Sequence, residues 1–108
     1  MTLGFEQVLV HCRVERGTLD RWITLSWVRP TQAGDGWHFS DADIARIELI
    51  CDLHRDLGIA EDAIEVILPL LDQVYALRHQ MRALTDALGA LPEDMRRDVL
   101  ARLTPPER

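Results

Sequence analysis

The chain contains no lysine; all twelve of its basic residues are arginines. Cysteine is scarce, with Cys12 and Cys51 the only two in 108 residues. Two are too few for the disulfide framework of a small secreted domain and fit a reducing compartment. No apolar run approaches the roughly 20 residues that a bilayer-spanning helix needs. MTLGFEQVLVHC puts no positive charge ahead of its short apolar stretch, so it does not read as a signal peptide. These absences lead us to expect a cytoplasmic protein with no membrane association. No glycine-rich phosphate loop follows a strand-like run, and no nucleophile sits in a recognisable setting. Neither an enzyme nor a cofactor is expected. What is there is ordinary globular composition, 47% apolar and 28% charged, which excludes a wholly disordered chain. The length predicts one domain over residues 1–108, hiding roughly two-thirds of the unfolded chain's surface.

The charge is unevenly placed. Residues 1–40 hold four arginines against four acids, and residues 67–108 six against six. Residues 41–66 hold Arg46 and Arg55 against eight acids, which accounts for the whole net charge of −6. A localised acidic field repels phosphate backbones and attracts basic protein surfaces. Its commoner meaning is a solvated helix face.

Residues 3–12 form an apolar stretch readable as helix or strand. After a break at Arg13–Gly17, Leu19, Trp22 and Ile23 share one helix face. Trp27-Val28-Arg29-Pro30 reads as extended, because a proline disfavours helix at the residue before it. Residues 31–36 are turn-forming, and Asp35-Gly36 ahead of Trp37-His38-Phe39 signals a β-hairpin. Ser40 with Asp43 predicts a helix cap, with a helix from about Asp41. Its apolar side holds Ile44, Ile47, Ile50, Cys51, Leu53, His54 and Leu57, and Gly58 supplies a stop. Glu61 and Asp62 open the next helix, in which Pro69 should make a kink or a fresh start.

From Ile67 the apolar residues Leu70, Val74, Leu77, Met81, Leu84, Leu88 and Leu91 alternate steps of three and four. A seam of that length predicts a heptad contact, and Val74, Leu77, Met81, Leu84 and Leu88 are the candidate homodimer interface. The organisation expected is helix-turn-helix and wing over 1–40, an acidic helical segment over 41–66 and a heptad helix over 67–91. A short helix and tail should follow over 92–108.

This order of parts resembles the MerR-type winged helix-turn-helix fold. TLDRWITLSWVRP (18–30) and GWHFSDADIARIELICDLHRDLGIAEDAIEVIL (36–68) carry the resemblance. It implies a mainly α fold with a small hairpin wing, a helix pair and a long C-terminal helix that pairs antiparallel in a dimer. A DNA-binding transcriptional regulator is one function such a fold implies. Against it, Glu15 and Asp20 neutralise Arg16 and Arg21 where a recognition helix needs cations, so no specific nucleic-acid binding is expected. No cysteine lies near the start of the heptad helix, where metal-sensing members place ligands.

Four segments are similar to the bacterial chaperone-modulator family CbpM: Trp27-Val28-Arg29-Pro30, Trp37-His38-Phe39 with its acidic cap, Arg55-Asp56-Leu57-Gly58-Ile59, and Ile67-Leu68-Pro69-Leu70-Leu71-Asp72. The helix before Gly58 also reads as one residue longer than in the DNA-binding members. This resemblance implies an inhibitor that binds the J-domain of a DnaJ-like co-chaperone, CbpA, on the surface that engages Hsp70. That surface is a basic helix. The acids Glu48, Asp52 and Asp56, spaced i, i+4 and i+8, with Arg55 beside them, are the candidate partner-binding residues; a straight helix would present the acids as one row.

Other residues read as structural. Cys51 and His54 have ligand spacing, but a structural zinc site needs four ligands, and no metal is expected. His54 reads as a buried or interfacial histidine satisfied by a backbone group. Trp22, Trp27 and Trp37 read as the mini-core of the hairpin.

Overall fold

The computed structural model describes residues 2–103, so the expected tail over 104–108 lies outside the described residues. The chain divides into two compact units, the first ending at Pro69 and the second beginning at Leu70.

The first unit opens with a strand, β1 (Leu3–Gly4), running directly into helix α1 (Phe5–Cys12). Val8 and Cys12, one turn apart, are buried on its inner face. The helix stops at Arg13 in the left-handed region (φ +56°), and Val14 N–H reaches back to Leu9 O at 3.1 Å. That conformation is unusual for a residue with a Cβ. Helix α2 (Arg16–Thr24) begins two residues before the expected Thr18 and takes in Gly17, so the break lies at Arg13 and not at the glycine. At its far end Ser26, also left-handed, lets Trp27 N–H return to Trp22 O at 2.9 Å. Trp27 and Val28 then turn into the core.

Strands β2 (Thr31–Ala33) and β3 (Gly36–Phe39) form the hairpin. The loop is Gly34-Asp35, one residue earlier than expected, with Ala33 opposite Gly36. Gly34 takes φ +54° at the first central position, where a II′ turn favours glycine. β1 adds antiparallel to the other side of β3, Leu3 against Phe39, giving the sheet order β1-β3-β2. This third strand was not expected, because two residues are too short to show an alternation.

Helix α3 (Asp41–Cys51) starts as the sequence predicts. Ser40 Oγ accepts from Asp43 N–H at 3.2 Å, and Asp43 Oδ2 accepts from Ser40 N–H at 2.8 Å. A cap of this kind is worth about 1 kcal/mol. The next five residues, Asp52–Asp56, form a π-helical turn in which Leu57 N–H donates to Asp52 O at 2.9 Å. A π-turn carries one residue more than an α-turn and shifts the phase of everything after it. Ile47, Ile50 and Cys51, before it, are buried; His54 and Leu57, which straight-helix counting put on the apolar side, are exposed. Gly58 (φ +68°) ends the element as predicted.

One core joins these parts: Val8, Leu19, Phe39, Ile47, Ile50 and Ile64 are wholly inaccessible. Burying each such aliphatic or aromatic side chain contributes roughly 1.5–3 kcal/mol. Trp22 and Trp27 belong to this main core, with ring centroids 6.5 Å apart, and do not form a separate hairpin cluster. Phe5 and Phe39, at 6.4 Å, tie α1 to the sheet instead, while Trp37 is only half-buried.

Helix α4 (Glu61–Gly89) is continuous through Pro69, so the proline does not begin a new helix. In the second unit Val74, Leu77, Met81 and Leu84 are exposed and Leu88 is half-buried. The helix ends at Gly89, and Leu91, expected to continue the seam, lies outside it ahead of Pro92. Helix α5 (Glu93–Arg102) carries side-chain ion pairs from Arg96 and Arg97 to Glu93 and from Arg102 to Asp98.

Candidate functional site

The acidic segment begins in α3 and runs through the π-turn into the start of α4. Its acids divide by what they already contact. Asp43 is committed to the Ser40 cap. Glu61 takes the guanidinium of Arg21 from α2. Glu48 lies 3.7 Å from His11 Nε2, a pair that becomes ionic only when the imidazole is protonated. Asp52 and Asp56 are exposed and have no ion-pair partner in the described residues, so their charge is displayed to solvent. The helix between Glu48 and Asp56 is not a straight α-helix: Asp52 and Asp56 both sit on the π-turn.

Arg55 has a different setting from the one expected. Its guanidinium reaches across 42 residues to donate to Arg13 O at 2.8 Å, and to Cys12 O at 3.3 Å. Those carbonyls are the unpaired end of α1, where a cation is favoured by the helix dipole. Arg55 thus holds the left-handed Arg13 turn, a structural task that occupies at least two of its five donors. The π-turn places the Cys12–Arg13 carbonyls within its reach. His54 is satisfied by a backbone group as expected, its Nδ1 donating to Ile59 O at 2.9 Å, but it is exposed and not buried.

The two cysteines are free and buried in the core. Burial, with Glu48 and Cys51 adding negative potential, pushes the Cys12 thiol from 9.0 to about 11, against a smaller opposing effect of Arg55. Burial also raises Cys51. A thiol held up in this way is neutral at physiological pH, and only a thiolate is nucleophilic. Iodoacetamide at pH 8 is therefore expected to leave Cys12 of the folded protein intact and to label it after denaturation, read by mass spectrometry; stoichiometric labelling of the native chain within minutes would contradict this. Because folding raises this pKa, the linked stabilisation is complete below pH 9 and is lost as pH climbs through about 11. Among the described residues no group of three or more His, Cys, Asp or Glu could hold a metal ion. No helix among them is long and apolar enough to cross a membrane.

The helix-turn-helix presents few free cations. Arg16 pairs with Glu6 and lies 5.4 Å from the centre of the Phe5 ring. Arg21 pairs with Glu61. The hairpin residues 31–39 hold no arginine, and His38 faces Asp35 at 3.8 Å. The pairs made by Arg21, Arg55 and His11 escaped sequence reasoning, since each joins residues 37 to 42 apart and no local pattern marks them.

With the helix-turn-helix, hairpin wing, helix pair and long C-terminal helix in place, the class is defined. Residues 3–86 match the family of MerR HTH family regulatory proteins, and the chain belongs to that family. No curated protein matches the chain in sequence.

Proposed function

We propose that this MerR-like protein is a protein-binding modulator that inhibits a DnaJ/CbpA-type co-chaperone by covering the J-domain surface that engages Hsp70. The observation that supports it most is the acidic segment: the net charge of −6 arises within residues 41–66, and Asp52 and Asp56 stand exposed and unpaired on its π-turn. A basic J-domain helix is the physical complement of such a surface. In this reading Glu48, Asp52 and Asp56 steer and contact the partner, while Arg55 acts by holding the turn that displays them. The protein works as a cytoplasmic homodimer joined along Val74, Leu77, Met81, Leu84 and Leu88.

The test is J-domain binding by the double variant Asp52→Arg/Asp56→Arg, after an unchanged melting temperature has been verified. Charge rows of this type act on association, so the on-rate should fall and lose salt dependence. Affinity should drop by at least about threefold, or about 0.7 kcal/mol; a smaller loss would remove the acids from the contact.

The second reading, a DNA-binding regulator, draws on the family itself. It requires cations on α2 and the wing, because duplex affinity comes largely from arginine and lysine on phosphates. The expected result is no specific duplex retardation at physiological salt. A sub-micromolar shift that weakens steeply with salt would reverse the ranking.

A further inference from the structure

We propose that helix α5 is the second half of a self-association surface, its apolar face packing on α4 of a second copy of this chain. The inference rests on the homodimer of the proposed function and deepens it; it does not depend on the co-chaperone. Among the described residues 70–103 none is buried, and only Leu71, Leu88, Arg96 and Val99 are half-buried. Ten of the fourteen large exposed apolar residues lie in this stretch, although it belongs to the smaller of the two units. A unit below about 40 residues rarely builds a core alone and usually needs a partner. In α5, Met95, Val99, Leu100 and Leu103 fall at i, i+4, i+5 and i+8, one broad face of the helix and its cap residue. Met95, Leu100 and Leu103 are each more than half exposed. A helix of ten residues is marginal in water unless such a face is packed. Its own chain leaves that face open.

Charge and spacing point to a second copy as the occupant. Residues 70–103 hold five arginines against five acids, so this stretch is neutral while residues 41–66 carry the net charge of −6. The cations of α5 are already paired within the helix, Arg96 and Arg97 to Glu93 and Arg102 to Asp98. Such a surface has no excess charge to recruit a phosphate or a strongly charged protein, and it meets a copy of itself without repulsion. The stripe Leu70, Val74, Leu77, Met81, Leu84 and Leu88 advances by four, three, four, three and four residues. That order reads the same in both directions, so a two-fold axis facing His79 lays the stripe on itself, Leu77 against the partner's Met81 and Val74 against the partner's Leu84. The acidic segment runs into the start of α4, through Glu61, Asp62 and Glu65. Antiparallel pairing keeps two such starts apart by the length of the stripe, roughly 27 Å at about 1.5 Å per residue, well beyond the screening length of about 8 Å. In this pairing α5 leaves the end of α4 beside the start of the partner's stripe, where the partner's Leu71 and the partner's Tyr75 form a second apolar row. Residues of this size at half exposure leave on the order of 100 Å² each, so the five exposed stripe residues fall short of the roughly 800 Å² that each partner gives a standard interface. The exposed residues of α5, with Tyr75 and Leu91, close that gap.

The experiment uses the full chain. Sedimentation equilibrium gives the dimer dissociation constant of the unsubstituted protein and of Met95→Ala/Leu100→Ala, in which alanine preserves helix propensity. The variant should dimerise at least about tenfold more weakly. Mixed dimers of isotope-labelled and unlabelled chains should also show NOEs from the α5 methyl groups to the ring of the partner's Tyr75. A dimer whose affinity changes by less than about threefold in the variant leaves the α4 pairing standing and overturns the role of α5. Contacts from α5 that all stay within one chain overturn it as well. A monomer at about 100 μM in the unsubstituted protein removes the homodimer and this inference with it.

Discussion

Phe39→Ala is expected to cost about 3–5 kcal/mol of folding stability, the usual result of emptying a fully buried aromatic position. Phe39 is completely inaccessible and ends β3, the central strand of the sheet. It pairs with Leu3 in the sheet and meets Phe5 of α1 at 6.4 Å. Truncation would therefore loosen the one strand that both edge strands need, and would leave a void against α1. With domain stabilities usually about 5–15 kcal/mol, the variant should keep only a small margin. Chemical denaturation should show a much lower midpoint at an unchanged slope. Trp37→Ala, at a half-buried position on the same strand, should cost clearly less. Comparable losses at the two positions would show that the core is not centred where the burial pattern places it.

The second large effect concerns the seam. In one chain Leu77 and Met81 are 60% and 63% exposed. Together with Val74, Leu84 and Leu88 they form an apolar stripe at heptad spacing, of the kind a partner helix covers. For the proposed dimer, Leu84→Asp should convert the dimer to monomer at micromolar concentration, because a carboxylate without a partner in an apolar contact costs several kcal/mol. Light scattering checks both halves of the statement. A monomer already in the unsubstituted protein removes the dimer, and a dimer that survives the substitution moves the interface off this stripe.

Arg55 is one of the side chains that link the acidic surface to the helix-turn-helix. Arg55 belongs to the π-turn that displays Asp52 and Asp56, and its guanidinium closes the end of α1. A residue that looks like a surface charge in sequence thus ties the presented turn to the end of α1. Charge reversal at Asp52 and Asp56 tests recognition cleanly because neither takes part in that tie.

Much of this protein is written locally. Ser40 and Asp43 set the start of α3 through hydrogen bonds three residues apart. Gly58 sets the end of the acidic element, since only that residue type takes φ +68° freely. The hairpin, the heptad spacing of α4 and the concentration of charge in residues 41–66 are likewise properties of short segments. Tertiary structure decided the rest. The pairing of Leu3 with Phe39 depends on where α1 packs. The inward position of Trp22 and Trp27 depends on a left-handed Ser26 that no propensity favours. Above all, the π-turn at Asp52–Asp56 took His54 and Leu57 out of the apolar face and set Arg55 on the carbonyls of Cys12 and Arg13. Periodicity assumes a constant angle per residue, and one extra residue in a turn breaks that assumption. Whether the extra residue is accommodated there depends on what lies 42 positions away, which no window along the chain contains.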